Sequence, residues 1–227
     1  LEGGCRALYL GPELPLELRD LRSLTWVKAV VIEPLDEGLR ESARLIREGL
    51  YDCVAFTSPR GPLLLRGFLQ GWPSGPRPLC VGPGTARAFS EAFGLRCYMP
   101  RTYTTGSLAS LALELNCRSL LTLRSEQGDD ELEAAVKASA SVHRVNIYRE
   151  RVLADLIPTG FNVVIASSAL IAEAACQRLK DTVDLVIAMG PKAARKAKEL
   201  CPKATVIEPQ EHSFKAVRET LAMSGCS

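Results

Sequence analysis

The sequence predicts an α/β protein of two flavodoxin-like or Rossmann-like lobes with parallel sheets, joined by a two-stranded antiparallel linker. Three observations predict it. Short, continuously apolar runs alternate with helical patterns nearly throughout, as strands of parallel sheets do when helices cover both faces. One phrase occurs twice: Gly82-Pro83-Gly84-Thr85-Ala86-Arg87 follows Pro78-Leu79-Cys80-Val81, and Gly190-Pro191-Lys192-Ala193-Ala194-Arg195 follows Asp184–Met189. The copies lie about a hundred residues apart, too far for a solenoid unit, so they mark two related lobes, and two lobes imply a cleft. Finally, two extended, charged segments break the alternation where one lobe hands over to the other.

The predicted strands are Arg6–Leu10, Trp26–Ile32, Cys53–Thr57, Leu79–Val81, Arg96–Tyr98, Ser119–Leu123, Val142–Tyr148, Val163–Ala166, Leu185–Met189 and Ala204–Ile207. Helices between them show apolar residues at i, i+3 and i+4: Leu39-Ala43-Ile46-Leu50, Leu108-Leu111-Leu115, Leu132-Ala135-Val136 and Phe214-Val217-Leu221. The linking segments are Val30–Asp36, which stays extended past Pro34, and Val145–Val152, which has neither turn signal nor following helix. Pairing them makes one lobe discontinuous, from residues 1–33 and 152–227. Residues 37–147 form the inserted lobe, with linker strands at about 33–37 and 147–152.

Composition narrows the partners. Hydrophobic residues make up 47% and charged residues 24%, an ordinary globular balance. A formal charge of +2 gives no global field for nucleic acid, although local placement still permits an anionic ligand. No apolar stretch reaches the roughly 18 residues of a membrane helix, and no secretory signal pattern opens the chain, so cytoplasm is the expected compartment. The eight cysteines never form C-x-x-C, and with only His143 and His212 beside them no zinc site is expected. Cys53, Cys80 and Cys176 lie in or beside apolar runs, where Cys is expected to pack as a small hydrophobe. Hyperthermophile proteins, with their intracellular disulfides, are the exception.

The candidate ligand-binding groups sit where strands give way to helices. In the Gly-Pro loops Gly allows a tight turn, and Pro presets the first helical position. The helix start then offers unpaired N–H groups and partial positive charge to an anion. Thr85 adds a hydroxyl, and Arg87 stands where a dinucleotide fingerprint has its third Gly. Thr57-Ser58-Pro59-Arg60 and Ser167-Ser168 end two other apolar runs. Their hydroxyls are expected to cap the next helices, and Arg60 suits bidentate carboxylate recognition. Thr105-Gly106-Ser107 opens a further helix, as does the polar loop Glu211-His212-Ser213. Lys192, Arg195, Lys196 and Lys198 read as a solvated helix face, and Asp129-Asp130-Glu131 as an acidic helix start. His143 reads as a structural strand residue and His212 as a loop residue, and no catalytic triad is visible. Tyr148, near the end of the second linking segment, offers a phenol able to donate a proton to a leaving oxygen.

Taken in order, several of these segments resemble the uroporphyrinogen-III synthase family. They are Phe56–Arg60, Val81–Arg87, Thr105–Leu108, Leu123-Arg124-Ser125-Glu126 with the acidic helix after it, Val145–Arg149, Ile165–Ser168 and Met189–Arg195. The resemblance covers residue 52 to about residue 221. It implies two α/β lobes on a two-stranded ladder, with the active site in the interdomain cleft. It further implies cyclisation of hydroxymethylbilane, a tetrapyrrole polycarboxylate, to uroporphyrinogen III, with loss of water, inversion of ring D through a spiro intermediate, and no metal or organic cofactor. Tyr148 would then be catalytic. Thr57, Ser58, Arg60, Thr85, Arg87, Thr105, Gly106, Ser107, Ser167, Ser168 and Lys192 would bind substrate, in a cytoplasmic monomer with no nucleic-acid or membrane partner. Two departures stand out: Ala193 where many members have Thr, and Leu10-Gly11-Pro12 where many have Thr-Arg-Pro. The rival reading is a non-catalytic two-lobed module that senses an anion or a tetrapyrrole. A nucleotide-dependent flavodoxin-like enzyme would lack a convincing phosphate loop.

Overall fold

The computed structural model describes residues 4–211 and 213–226. His212 therefore lies outside the described residues. The strands are β1 (Ala7–Leu10), β2 (Leu24–Val27), β3 (Val30–Pro34), β4 (Cys53–Phe56), β5 (Arg77–Cys80), β6 (Ser119–Ser125), β7 (Ser141–Val152), β8 (Val163–Ala166), β9 (Leu185–Ala188) and β10 (Thr205–Ile207). The α-helices are α1 (Asp36–Arg47), α2 (Arg60–Leu65), α3 (Pro83–Phe93), α4 (Thr105–Glu114), α5 (Glu131–Val136), α6 (Ala169–Leu179), α7 (Pro191–Leu200) and α8 (Phe214–Met223). The chain divides into two compact units, Leu1–Val31 with Arg151–Ser227, and Ile32–Glu150.

The first unit holds a sheet of order β10-β9-β8-β1-β2, with every pair parallel. In order of appearance along the chain its strands run 2-1-3-4-5, the doubly wound flavodoxin arrangement. One face buries Ala7, Tyr9, Val163, Ile165, Leu185 and Ile187 against Val217 and Leu221 of α8. Their alternate neighbours Leu8, Leu10, Val164, Val186 and Ala188 are equally buried, so these strands are apolar on both faces.

The second unit holds a sheet of order β3-β7-β6-β4-β5, in which β7, β6, β4 and β5 are parallel. Val54, Phe56, Leu121, Leu123, Val145 and Ile147 face α1, α2 and α3. Cys53, Ala55, Leu79 and Leu120 face α4 and α5. β3 closes one edge of this sheet. Backbone bonds join Leu35 to Ile147 (3.0 Å) and Leu153 to Ala29 (2.7 Å), so partner numbers fall as residue numbers rise, the signature of antiparallel pairing.

Four expectations are corrected. Trp26–Ile32 is two strands, because a tight turn from the Ala29 N–H to the Val27 carbonyl (2.8 Å) takes the chain out of one sheet before it enters the other. Arg96–Tyr98 forms no strand; Tyr98 alone bridges to Leu79. Leu50 does not continue the face of α1, because Gly49 at φ 64° ends the helix first and leaves Leu50 exposed. Cys53 and Cys80 are not simply small hydrophobes: Cys5–Cys226, Cys53–Cys117 and Cys80–Cys97 are disulfides, with Cα–Cα separations of 5.2, 5.9 and 6.0 Å. Cys176, with Cys201, is a buried free thiol.

Candidate active site

In a doubly wound sheet, neighbouring loops diverge at the switch point of strand order and leave a crevice outside the strand C-termini. In the first unit the switch lies between β1 and β8, which places Gly11 and Ser167-Ser168 there. Gly11 is fixed by the Trp26 indole, which donates to its carbonyl at 3.0 Å. In the second unit the switch lies between β4 and β6, which places Thr57–Arg60 beside the loop after Ser125.

That loop is unusually well held. The Arg144 guanidinium donates to the carbonyls of Ser125 (2.9 Å), Gly128 (2.8 Å) and Asp129 (2.9 Å). Buried Arg124 donates to the Asp129 carbonyl (2.8 Å) and pairs with Glu133 (3.2 Å). Two charged side chains thus satisfy the backbone acceptors of one turn, which no secondary structure would otherwise pair.

Tyr148 lies on β7 beside this loop. Its side chain belongs to the core cluster with Phe56 and Ile147, and the residue is only 5% exposed. Its hydroxyl has no hydrogen-bond partner among the described residues, yet no fully buried side-chain nitrogen or oxygen is left unpartnered there. The hydroxyl is therefore on the part of the residue that reaches solvent, while the ring is held in the core. The Arg60 guanidinium sits 5.8 Å from the ring centroid and donates to Glu150 at 2.5 Å. Tyr148 and Glu150 are two residues apart on one strand, so their side chains share a face and Arg60 meets both.

The helix starts differ in what they leave open. Ser168 caps α6 by accepting from the Ile171 N–H, and Thr104 caps α4 by accepting from the Ser107 N–H. The Thr105 hydroxyl donates to the Glu131 carboxylate, so this loop already carries an anion of its own. Ser107 is engaged by the hydroxyls of Thr102 and Thr104. Ser58 caps no helix through its side chain in the expected sense. Pro59 is the N-cap of α2, and Ser58 Oγ only accepts from the Arg60 N–H at 3.3 Å. By contrast, Gly82 and Gly190 have no side chain, so α3 and α7 begin without a side-chain cap.

The two glycines are needed for different reasons. Gly190 adopts φ 116°, a region that L side chains avoid. Gly82 is extended at φ −174°, and a Cβ there would stand 3.2 Å from Cβ and Cγ of Tyr103. Thr85 is 2% exposed with no hydroxyl partner among the described residues, and like Tyr148 it keeps its oxygen at the accessible edge. Gly106, Thr57 and Ser167 are half-buried, while Arg87 and Lys192 are exposed.

One other candidate is placed away from this end. His143 lies near the N-terminal end of β7, where its Nδ1 meets the Tyr51 hydroxyl at 2.6 Å. Burial, with the Glu41 charge, pushes the Tyr51 phenol up. Asp129 pairs with Arg124, and the Arg195–Lys198 stretch of α7 is largely solvated. Among the described residues no His, Cys, Asp or Glu cluster could hold a metal, and no helix is long and apolar enough to cross a membrane. Sequence reasoning missed Glu150, and read Glu131 as part of an acidic helix start, which it is, without its bond to Thr105. Glu150 had one available signal, its i, i+2 spacing from Tyr148 on an extended segment.

A family model described as uroporphyrinogen-III synthase HemD matches residues 29–218. No curated protein matches the chain. Among solved structures, wild-type uroporphyrinogen III synthase from the extremely thermophilic bacterium Thermus thermophilus is 18% identical, with 97% of this chain and 98% of that chain covered at a TM-score of 0.54. A mutant selenomethionine form of that enzyme is 16% identical, with 98% of each chain covered at a TM-score of 0.59. At such identity the likeness speaks for the fold, two parallel-dominated α/β sheets. The family match spans most of the sequence and takes in Arg60, Thr85 and Tyr148. The chain belongs to the uroporphyrinogen-III synthase family, lyases of tetrapyrrole and heme biosynthesis.

Proposed function

We propose that this chain cyclises hydroxymethylbilane to uroporphyrinogen III, with Tyr148 as general acid or hydrogen-bond donor to the departing hydroxyl. The observation that carries the assignment is the combination at Tyr148: a ring anchored in the core, a hydroxyl with no partner among the described residues, and Arg60 against the ring. Departure of the hydroxymethyl oxygen leaves a stabilised pyrrolic cation and needs only a proton donor, so the reading calls on no cofactor. The larger task is holding a flexible chain in the geometry that inverts ring D, which is catalysis by positioning.

In this reading the uncapped starts of α3 and α7, with Arg60, Arg87, Lys192 and the hydroxyls of Thr57, Ser58, Thr85, Ser107, Ser167 and Ser168, take the substrate carboxylates. Thr105 and Gly106 come second, since Glu131 repels a carboxylate there. The discontinuous unit and the inserted unit are taken as two domains that each contribute helix starts, in a monomer of the cytoplasm. Three disulfides suit that compartment in hyperthermophile proteins and are rare in it elsewhere.

Isomer analysis tests the proposal, because hydroxymethylbilane closes unaided to the unrotated I isomer. The protein is expected to yield the III isomer above a protein-free control, and failure to do so would leave the sensor reading. Tyr148→Phe is expected to slow III formation by about a hundredfold. An unchanged rate would remove Tyr148 from the mechanism.

A further inference from the structure

We infer that Gln127 is a positioning residue for the Tyr148–Glu150 segment, an inference that rests on the synthase reading above. The reason lies in how β6 ends. The β6–β7 ladder runs to the pairing of Ser125 with Tyr148, and its last backbone bond is from the Glu126 N–H to the Tyr148 carbonyl at 2.9 Å. Beyond it the chain turns away into the loop clamped by Arg124 and Arg144, while β7 continues to Val152. Glu150 would therefore face that side with an unpaired N–H and an unpaired carbonyl.

The Gln127 side chain supplies both partners. Its Oε1 accepts from the Glu150 N–H at 2.9 Å, and its Nε2 donates to the Glu150 carbonyl at 3.1 Å. A side-chain amide has the same donor and acceptor as a peptide group, so Gln127 extends the ladder by one position without any strand. The Ser125 hydroxyl donates to the same Oε1 at 3.0 Å and fixes the amide's orientation. Glu150 in turn holds Arg60 at 2.5 Å, and Arg60 lies over the Tyr148 ring. The Gln127 side-chain amide bonds to the Glu150 backbone and the Ser125 hydroxyl, so it acts through the backbone of Glu150.

Gln127 is exposed, so truncating it leaves the core intact. Steady-state kinetics of III-isomer formation should be compared for wild type, Q127A, Y148F and the double variant. Loss of two hydrogen bonds from the positioning segment is expected to lower kcat about tenfold with KM within about twofold. In the Y148F background Q127A is expected to add nothing. Amide hydrogen exchange should show the Glu150 N–H protected in wild type and at least about tenfold faster in Q127A. If Q127A does not fold, Q127E, which keeps an acceptor and loses the donor, is measured in the same way. An unchanged kcat in Q127A, an equal loss from Q127A in both backgrounds, a kcat for Y148F alone equal to that of wild type, or unchanged Glu150 exchange overturns the inference. Absence of III isomer from wild type is a different failure: it removes the synthase reading, while the exchange result still decides whether Gln127 holds Glu150.

Discussion

Arg60 donates to Glu150 at 2.5 Å although ninety residues separate them in sequence. The pair is partly buried, with side-chain exposures of 34% and 20%, so water screens it less than a surface ion pair. Its consequence is orientation. Without Glu150 the long Arg60 side chain would sample many rotamers, whereas with it the guanidinium stays at the Tyr148 ring.

Two variants separate binding from positioning at this pair. Arg60→Ala removes a cation suited to carboxylates and is expected to raise KM by about tenfold or more. Glu150→Gln keeps the cation but loosens its anchor, and is expected to lower kcat severalfold with a smaller change in KM. Steady-state measurement of III-isomer formation checks both. Equal KM in wild type and R60A would take Arg60 out of substrate binding.

Thr85 is nearly buried but its hydroxyl bonds to no described residue. Thr85→Val keeps the shape and leaves no protein group unpaired. Stability is therefore expected to stay within about 1 kcal/mol of wild type, while III-isomer formation falls about tenfold. A thermal melt alongside kinetics tests the split; a large loss of stability would mean that the hydroxyl serves the fold.

The cysteines give a count. Denatured, unreduced protein is expected to react with two equivalents of thiol reagent, from Cys176 and Cys201, and native protein with none. Burial pushes both thiols up, so neither presents a thiolate at neutral pH. Cys5–Cys226 closes a separation of 221 residues, for which chain entropy predicts about 5 kcal/mol. Cys5→Ala with Cys226→Ala should lower Tm accordingly, and an unchanged Tm would exclude the entropic account.

Part of the acid sensitivity should trace to Asp20. Hydrogen bonds from the Arg218 guanidinium, at 2.5 and 2.8 Å, hold its carboxyl at about 2. A carboxyl lowered in the folded state stabilises above its unfolded value of 3.8 and loses that contribution as pH falls through about 2. Between pH 4 and pH 2, Asp20→Asn should therefore show a shallower decline in stability than wild type. Urea melts across that range check it, and parallel declines would assign the effect elsewhere.

Much of the fold was legible because it is written locally. Val163–Val164–Ile165–Ala166 is apolar at every position because helices cover both sheet faces, and its predicted bounds match β8 residue for residue. The Gly-Pro phrases were legible for the same reason: a helix start depends on a few adjacent residues. Legibility failed where a turn or a distant partner decided the outcome. Trp26–Ile32 has uniform strand character, and only the turn at Lys28 divides it. Cys53 has the surroundings of a core cysteine, and only Cys117 across the fold makes it a disulfide.

The sequence by itself determined the alternation of strands and helices, the two related halves, the hydroxyl and Gly-Pro loops, and Tyr148 as the residue to watch. Tertiary structure alone decided which loops became neighbours. Strand order places the turn after β6 beside the loop after β4, and so brings Arg60, Gln127 and Glu150 together around one strand end. It also gives Glu131 to Thr105, filling a helix start that its sequence left open. The physical reason is that apolar periodicity encodes which face of an element is buried, whereas strand order rests on long-range pairing, which no local spacing records.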